Sequence, residues 1–395
     1  MESKSTNRIG LFYAVVFLFW FGQFIYVPFL SPYMRVAGIS GTLIGIIAGS
    51  YGLTQMILRI PLSIGGWKTG SHRIIIGTGL VAVFLSCLLP MFSDSWIAFL
   101  FTRALAGVAS ASWISYSAYV LEGAGKESNK RMGYLMTANT GGICASQLLG
   151  TIIYGQVGLR VMFIIGMISA VVAIFIFAFI PMKSTVPLGE KRILEKSLYR
   201  TVLTNKNLWI CALLMTIGQL LHFSTSLSFS GVYAQEALGA SPFQLGLVVF
   251  VWQLAMMAVS ISYGKLERKG LTERLALTLG FMLFAAYAFI VPGLTSASPL
   301  IAVQILAGIA GSFINIVLFA NAGRDFSDDQ QILSMGLFQT VYSIGITGGP
   351  ILTGAVLDFA HANYGPPFYV LGGFSLLGAV AGAALYRSKP RNNDQ

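Results

Sequence analysis

Apolar runs of about 20 residues, each closed by a short polar or glycine-bearing turn, follow one another along the chain, and a run of that length crosses a hydrocarbon core as one α-helix. In the first half they fall at roughly 9–34, 41–66, 73–92, 95–120, 131–155 and 161–181. The second half gives roughly 207–234, 242–265, 273–293, 298–321, 332–358 and 366–386. This pattern predicts twelve spans, six in each half, with the polar stretch 182–206 between them. The first run is too long for a signal h-region and has no small-residue cleavage site before the next, so it is read as retained.

The two halves also repeat each other at an offset of about 200 residues. The run Arg103-Ala-Leu-Ala-Gly107 recurs as Gln304-Ile-Leu-Ala-Gly308. The spacing Gly133, Gly142, Ser146-Gln147, Gly150 recurs as Gly336, Gly345, Gly349-Pro350, Gly354, and the turn Trp67-Lys-Thr-Gly70-Ser-His-Arg73 as Glu267-Arg268-Lys269-Gly270-Leu-Thr-Glu-Arg274. A membrane chain duplicated in this way is expected to build two stacked copies of one bundle, with its function between them. The expected domains are residues 1–181, a linker at 182–206 and residues 207–395, the linker being a solvated tether with room for a short surface helix.

Composition places the chain in a bilayer. Hydrophobic residues make up 55% and charged residues 10%, with a mean hydropathy of +0.75, which leaves too little polar surface to coat a soluble domain. Of the 25 Lys and Arg, only Arg35 and Arg160 fall in one set of turns, Arg59 and Arg103 fall inside spans, and the rest collect in the other set. The positive-inside rule then puts both termini in the cytoplasm, in a multi-pass protein of the cytoplasmic membrane. Topology accounts for the net charge of +11, so no nucleic-acid partner is needed, and anionic inner-leaflet lipid is an expected neighbour. Cys87, Cys144 and Cys211 are odd in number and lie in apolar runs, which implies neither disulfides nor a metal cluster. The 44 glycines suit helix faces that approach closely.

On these residues the chain resembles the major facilitator superfamily. Gly336 through Gly354 is similar to that family's glycine-proline signature, the antiporter motif, here on the eleventh span. On the fifth span, where the family carries it best, Ser146 and Gln147 replace the Gly-Pro pair. Gly345, Gly349 and Gly354 give a smooth helix face, and Pro350 removes one backbone donor. Arg103 with Gly107 resembles the family's fourth-span motif, whose intramembrane arginine is associated with proton coupling. The turn at Gly70 is similar to the family's loop motif with Trp67 in place of its acid, whereas Glu267, Arg268 and Gly270 keep the acid in the second copy. In the family this loop latches neighbouring helices. The resemblance implies an all-α membrane protein of twelve transmembrane helices in two pseudo-symmetric six-helix bundles, the major facilitator fold, working by alternating access.

The fourteen acidic residues all avoid mid-span positions; only Glu122 and Asp358, near span ends, approach the hydrocarbon. Arg59, Arg103 and His222 meanwhile put potential positive charge at depth, so the interior favours an anionic or zwitterionic solute that completes the pairing. His222 is the lone intramembrane imidazole. Arg59, near the inner end of its span, is expected to snorkel toward headgroups. The family's architecture lines its pathway with the first, fourth, seventh and tenth spans, which here offer Trp20, Gln23 and Tyr26, then Trp113 and Tyr116, then Gln219 and His222, then Asn315. The coupling and gating candidates are Arg59, Arg103, Gly107, Gly70, Glu267, Arg268, Gly270, Gly345, Gly349, Pro350 and Gly354.

The expected function is secondary active transport of a small organic solute, coupled to protons and directed outward, by a monomer without cofactor or metal. Uptake or exchange of an organic anion, and lipid flipping on the same fold, are the alternatives. An enzyme would need clustered His, Asp or Glu at depth, which the chain lacks. No GxxxxGK[ST] loop is present for ATP-driven transport.

Overall fold

The structure, a computed structural model, describes residues 2–69, 71–121, 125–182 and 196–386. Among them the regular structure is helical, with no strand. Helices α1 (Glu2–Phe24) and α2 (Val27–Val36) form the first span, α3 (Gly41–Thr69) the second, α4 (Arg73–Leu88) the third, and α5 (Trp96–Ala111) with α6 (Trp113–Leu121) the fourth. Helix α7 (Ser128–Ala178) holds the fifth and sixth, and α8 (Lys196–Thr204) lies in the linker. The seventh span is α9 (Lys206–Ser224) and α10 (Ser230–Glu236), joined by a wide π turn at Thr225–Phe229. Then come α11 (Pro242–Arg268), α12 (Glu273–Ile290), α13 (Ala297–Ala322), α14 (Asp328–Phe359) and α15 (Gly365–Leu385). Eleven of these stretches are long and apolar enough to cross a membrane.

One of the eleven counts twice. At 1.5 Å per residue the 51 residues of α7 would reach about 75 Å if straight, more than double a hydrocarbon core of about 30 Å. Gly158 breaks the helix with φ 72° and ψ 177°, and the packing shows that the chain doubles back there. Before it, Gly142 meets Phe17 and Gly150 meets Ile25 and Phe29, so the segment runs parallel to the first span. After it, Gly166 meets Gly22 and Ser169 donates to the Leu18 carbonyl, so the direction is reversed. Twelve spans result. The backbone at Gly158 is accessible essentially to glycine alone, so Gly158→Ala should cost about 1–3 kcal/mol. A detergent melting curve no lower than the parent's would refute that.

The duplication seen in the sequence is a duplication of contacts. A Cβ on Gly107 would touch the Tyr51 carbonyl, and one on Gly308 the Trp252 carbonyl, so the fourth span sits on the second as the tenth sits on the eighth. Gly142 presses on the Phe17 carbonyl, and Gly345 on that of Thr216, pairing the fifth span with the first and the eleventh with the seventh. Arg73 donates to the carbonyls of Ile180 and Ala178, at 2.6 and 3.2 Å, and Arg274 to that of Ala383. Each guanidinium thus caps the frayed end of the last span in its own bundle.

Two antiparallel seams join the bundles. Along α3 and α14, Gly41 faces Gly354, Gly45 faces Pro350, Gly49 faces Thr347 and Gly52 faces Ile346. Glycine at every step lets backbone meet backbone, the close approach that drives helix association in lipid. The second seam brings Thr151 of α7 against Gly246 of α11, and Gly155 against Pro242. Turns alternate between a basic face, carrying Lys68, Arg73, Arg131, Lys206, Arg268, Lys269, Arg274 and Arg324, and an opposite face carrying Arg35 and Arg160.

Candidate functional site

Arg103 lies eight residues into the fourth span, on the order of 12 Å below the opposite face. It is 6% exposed, and its guanidinium carbon sits 4.6 Å from the centre of the Tyr51 ring. Among the described residues it makes no ion pair. A cation at this depth is costly unless protein, water or an anion answers it; the ring quadrupole answers part. The guanidinium faces a narrow crevice between the bundles, walled by Val27, Leu30, Ser31 and Met34, by Ile47 and Ala48, and by Phe223, Leu227 and Ser228. The crevice has room for about one water molecule at most.

Behind Arg103 stands a polar buttress. Gln23 is fully buried and donates from Nε2 to the Ala106 carbonyl and to Ser110 Oγ, both at 3.1 Å. Ser110 lies 2.7 Å from the Tyr51 hydroxyl, which ties the chain from Gln23 to the ring under Arg103. Gln23 therefore lies within the first bundle's wall. Tyr26 and Tyr116 are likewise fully buried, the Tyr26 hydroxyl lying beside Arg103 and Ser86 and that of Tyr116 beside Ser112. Trp113 is half-buried and stacks on Tyr116 at 5.8 Å and against Trp20 at 5.4 Å, making an aromatic cluster on the basic-face side.

In the second bundle, the position repeating Arg103 is Gln304, which donates to the Tyr287 hydroxyl at 3.0 Å and accepts from Ser226 at 3.2 Å. Its amide is satisfied within the bundle. Gln219 donates to Asn315 Oδ1 at 3.2 Å, and Asn315 donates to the Gly311 carbonyl at 2.7 Å. His222 is buried, edge-on to Trp252 with ring centres 4.5 Å apart, and rests on Gly311. The structure thus places Gln219, His222 and Asn315 along one junction of the seventh and tenth spans, apart from the Arg103 crevice.

Arg59 departs from the expectation of a snorkelling side chain. It is 6% exposed, turned into the α3–α14 seam. Its Nη1 donates to Gln339 Oε1 and to the Tyr342 hydroxyl at 2.8 Å, and its Nη2 to Gln55 Oε1. The reason is local: Gln55 stands one helical turn away and two acceptors wait on α14, so the inward rotamer finds partners that lipid would not offer. The i, i+4 spacing of Gln55 and Arg59 was a usable signal in the sequence; Gln339 and Tyr342 carried none.

The antiporter-like motif is a helix with two packing faces. Gly345 and Gly349 press on the Thr216 and Leu220 carbonyls of the seventh span, while Pro350 and Gly354 press on Gly45 and Gly41 of the second. Gly107 seats the fourth span on the second. At the loop copy, Gly270, with φ 101°, ends α11 and donates to the Glu267 carbonyl at 3.0 Å. Glu267 and Arg268 form no ion pair among the described residues. Gly70 and Glu122, and the side chain of Trp67, lie outside what is described.

The opposite face is sealed by groups that act between the bundles. Asp358, at the end of α14, accepts from the Gly41 and Thr42 amides at 2.8 and 2.7 Å and from the Thr42 hydroxyl at 2.7 Å. Its charge thereby sits on the positive N-terminus of α3. Beside it Arg35 pairs with Glu236 at 2.9 Å, and Tyr364 donates to the same carboxylate. Burial and that carboxylate raise the Tyr364 hydroxyl well above the ordinary phenol range, so it remains a donor.

The family model described as Major Facilitator Superfamily matches residues 12–303 and 233–395. Multidrug resistance protein 2 of Bacillus subtilis (strain 168) is 24% identical over 381 residues, covering 92% of this chain and 91% of that one. Inner membrane transport protein YajR of Escherichia coli (strain K12) is 26% identical over 273 residues, covering 68% of this chain and 59% of that protein. Among solved structures, a point mutant of nucleoside transporter NupG superposes with a TM-score of 0.76 at 16% identity, over 96% of this chain and all of that one.

Proposed function

The chain belongs to the Major Facilitator Superfamily and is a multi-pass membrane transporter, and we propose that it exports a small anionic or zwitterionic organic solute by alternating access, coupled to protons. The observation that carries this reading is Arg103: buried, seated on Tyr51, facing the crevice between the bundles, and without a carboxylate partner among the described residues. A carboxylate or phosphate on the solute supplies the missing charge through a bidentate, charge-assisted contact. Because all fourteen acids avoid mid-span positions, a cationic drug finds no such partner. The name of the B. subtilis relative favours outward movement.

On this reading the basic face is cytoplasmic, by the positive-inside rule, and the protein sits in the cytoplasmic membrane with both termini inside. The seal at Asp358, Arg35 and Glu236 closes the external side, so the solute reaches Arg103 from the cytoplasm. Pairing with the solute removes the cost of the lone cation in the state that holds it, and this differential binding is what shifts the bundles. Each chain holds a whole pathway between its own halves and works as a monomer in contact with lipid.

Counterflow in proteoliposomes against a panel of organic anions, zwitterions and cations, with and without a pH gradient, tests this. At least one anion or zwitterion should exchange faster than every cation, and Arg103→Ala should lower that rate by at least about tenfold, the scale of one lost charged hydrogen bond. Selective exchange of cations, or full activity in the variant, would overturn the assignment.

A further inference from the structure

The Arg103 crevice is not the only place where the interior presents unanswered positive charge. Tyr51, Gln55 and Arg59 follow one another at i, i+4 and i+8 on α3, so they form a stripe running from the ring beneath Arg103 to a second guanidinium about 12 Å nearer the basic face. Arg59 sits as Arg103 does, with its carbon 5.4 Å from the centre of a tyrosine ring, here Tyr342. The acceptors around it, Gln55, Gln339 and Tyr342, are neutral. No acid among the described residues pairs with it.

Two buried donors are left over. Arg59 Nε and Gln55 Nε2 have no hydrogen-bond partner, although Gln55 is 1% and Arg59 6% exposed. Buried donors of this kind are rare because each costs its full desolvation. Two of them beside an uncompensated cation make a site for an acceptor that carries negative charge. The partners of Arg59 come from both sides of the seam, so the site changes shape when α3 and α14 separate.

We propose that Arg59 and Gln55 form a second anion-binding station, taking a carboxylate or phosphate group, on the path between Arg103 and the basic face. This rests on the reading of the solute as an anion or zwitterion, and it adds where that group is held before or after Arg103. Arg59 Nε and Gln55 Nε2 donate to the anion, while Gln339 and Tyr342 hold the guanidinium plane from the other bundle.

The test is the melting temperature of purified, lipid-depleted protein in inorganic phosphate or succinate, each compared with chloride at equal ionic strength. The parent should be stabilised, and Arg59→Gln should need at least about tenfold more anion for the same rise. Gly348→Ala, on the same helix as Gln339 and Tyr342 but with no atom within 4 Å of the added carbon, should retain the response. If Arg59→Gln is not monodisperse, Gln55→Leu, which removes one orphan donor, carries the test with the same expected direction. A response that survives Arg59→Gln but vanishes in Arg103→Gln overturns the second station and leaves the Arg103 reading standing; the converse pattern overturns that reading and leaves the station. A parent indifferent to both anions overturns the station. Repeating the series in phosphatidylcholine and phosphatidylglycerol nanodiscs separates the sources: an Arg59-dependent rise confined to phosphatidylglycerol assigns the station to a lipid headgroup, and one already present in detergent assigns it to a free anion.

Discussion

Replacing Gly45 by leucine is expected to remove most transport while leaving both bundles folded and inserted. A single carbon added there would run into the Pro350 carbonyl oxygen and lie 2.8 Å from its carbon and 2.9 Å from the Ile351 Cα. All three are backbone atoms, so nothing can rotate aside, and overpacking of this kind costs about 1–3 kcal/mol or more. The cost falls on the conformation in which α3 and α14 touch, since the three atoms nearest an added carbon all belong to the other bundle. A penalty of that size moves the equilibrium between open and sealed forms by roughly 10- to 100-fold. Counterflow should drop by at least about tenfold, whereas Gly348→Leu on α14, where no atom lies within 4 Å of an added carbon, should retain activity. Equal losses in the two variants would show that bulk on α14 or α3, rather than the seam, matters.

Asp358→Asn is expected to loosen the opposite face. The carboxylate accepts three hydrogen bonds from the first turn of α3, and each bond to a charged group is worth about 1.5–3 kcal/mol. Asparagine keeps one acceptor but turns an amide N–H toward backbone donors, and it loses the attraction to the helix end. In a background with Cys87, Cys144 and Cys211 replaced, a cysteine at Ser31, which lines the crevice and is 4% exposed, reports the opening. An impermeant thiol reagent on the opposite face should label it at least about tenfold faster when Asp358 is asparagine. An unchanged rate would mean that Arg35 and Glu236 hold the seal without Asp358.

Span number, the break between 155 and 161, the duplication and the alternation of charge were legible in the sequence because each is a one-dimensional signal: run length, glycine spacing, Lys and Arg placement. Helix rotation was not. Gln23, Tyr26 and Tyr116 belong to spans that line the pathway of the family, yet they turn into the first bundle, because helices apolar on every side carry no stripe that says which face looks inward. The seam residues were hidden for another reason. Gln339, Tyr342 and Asp358 take their meaning from residues about 280 to 320 positions away, and a single sequence holds no record of such pairs. Arg59 shows the two limits together, since its depth was readable and its direction was not.

The exchange of Arg103 for Gln304 between the two copies has an electrical consequence. One bundle carries a buried guanidinium at this level, and its twin carries a neutral amide already satisfied by Tyr287 and Ser226. Rocking of one bundle against the other therefore displaces fixed charge within the bilayer, with no equal counter-movement at that depth. A unit charge crossing the whole field is worth about 2.3 kcal/mol per 100 mV, so even a partial shift makes the working cycle sensitive to voltage. An empty carrier and one loaded with an anion should then respond to an imposed potential in different degrees, since the cargo cancels the charge that the field would otherwise pull.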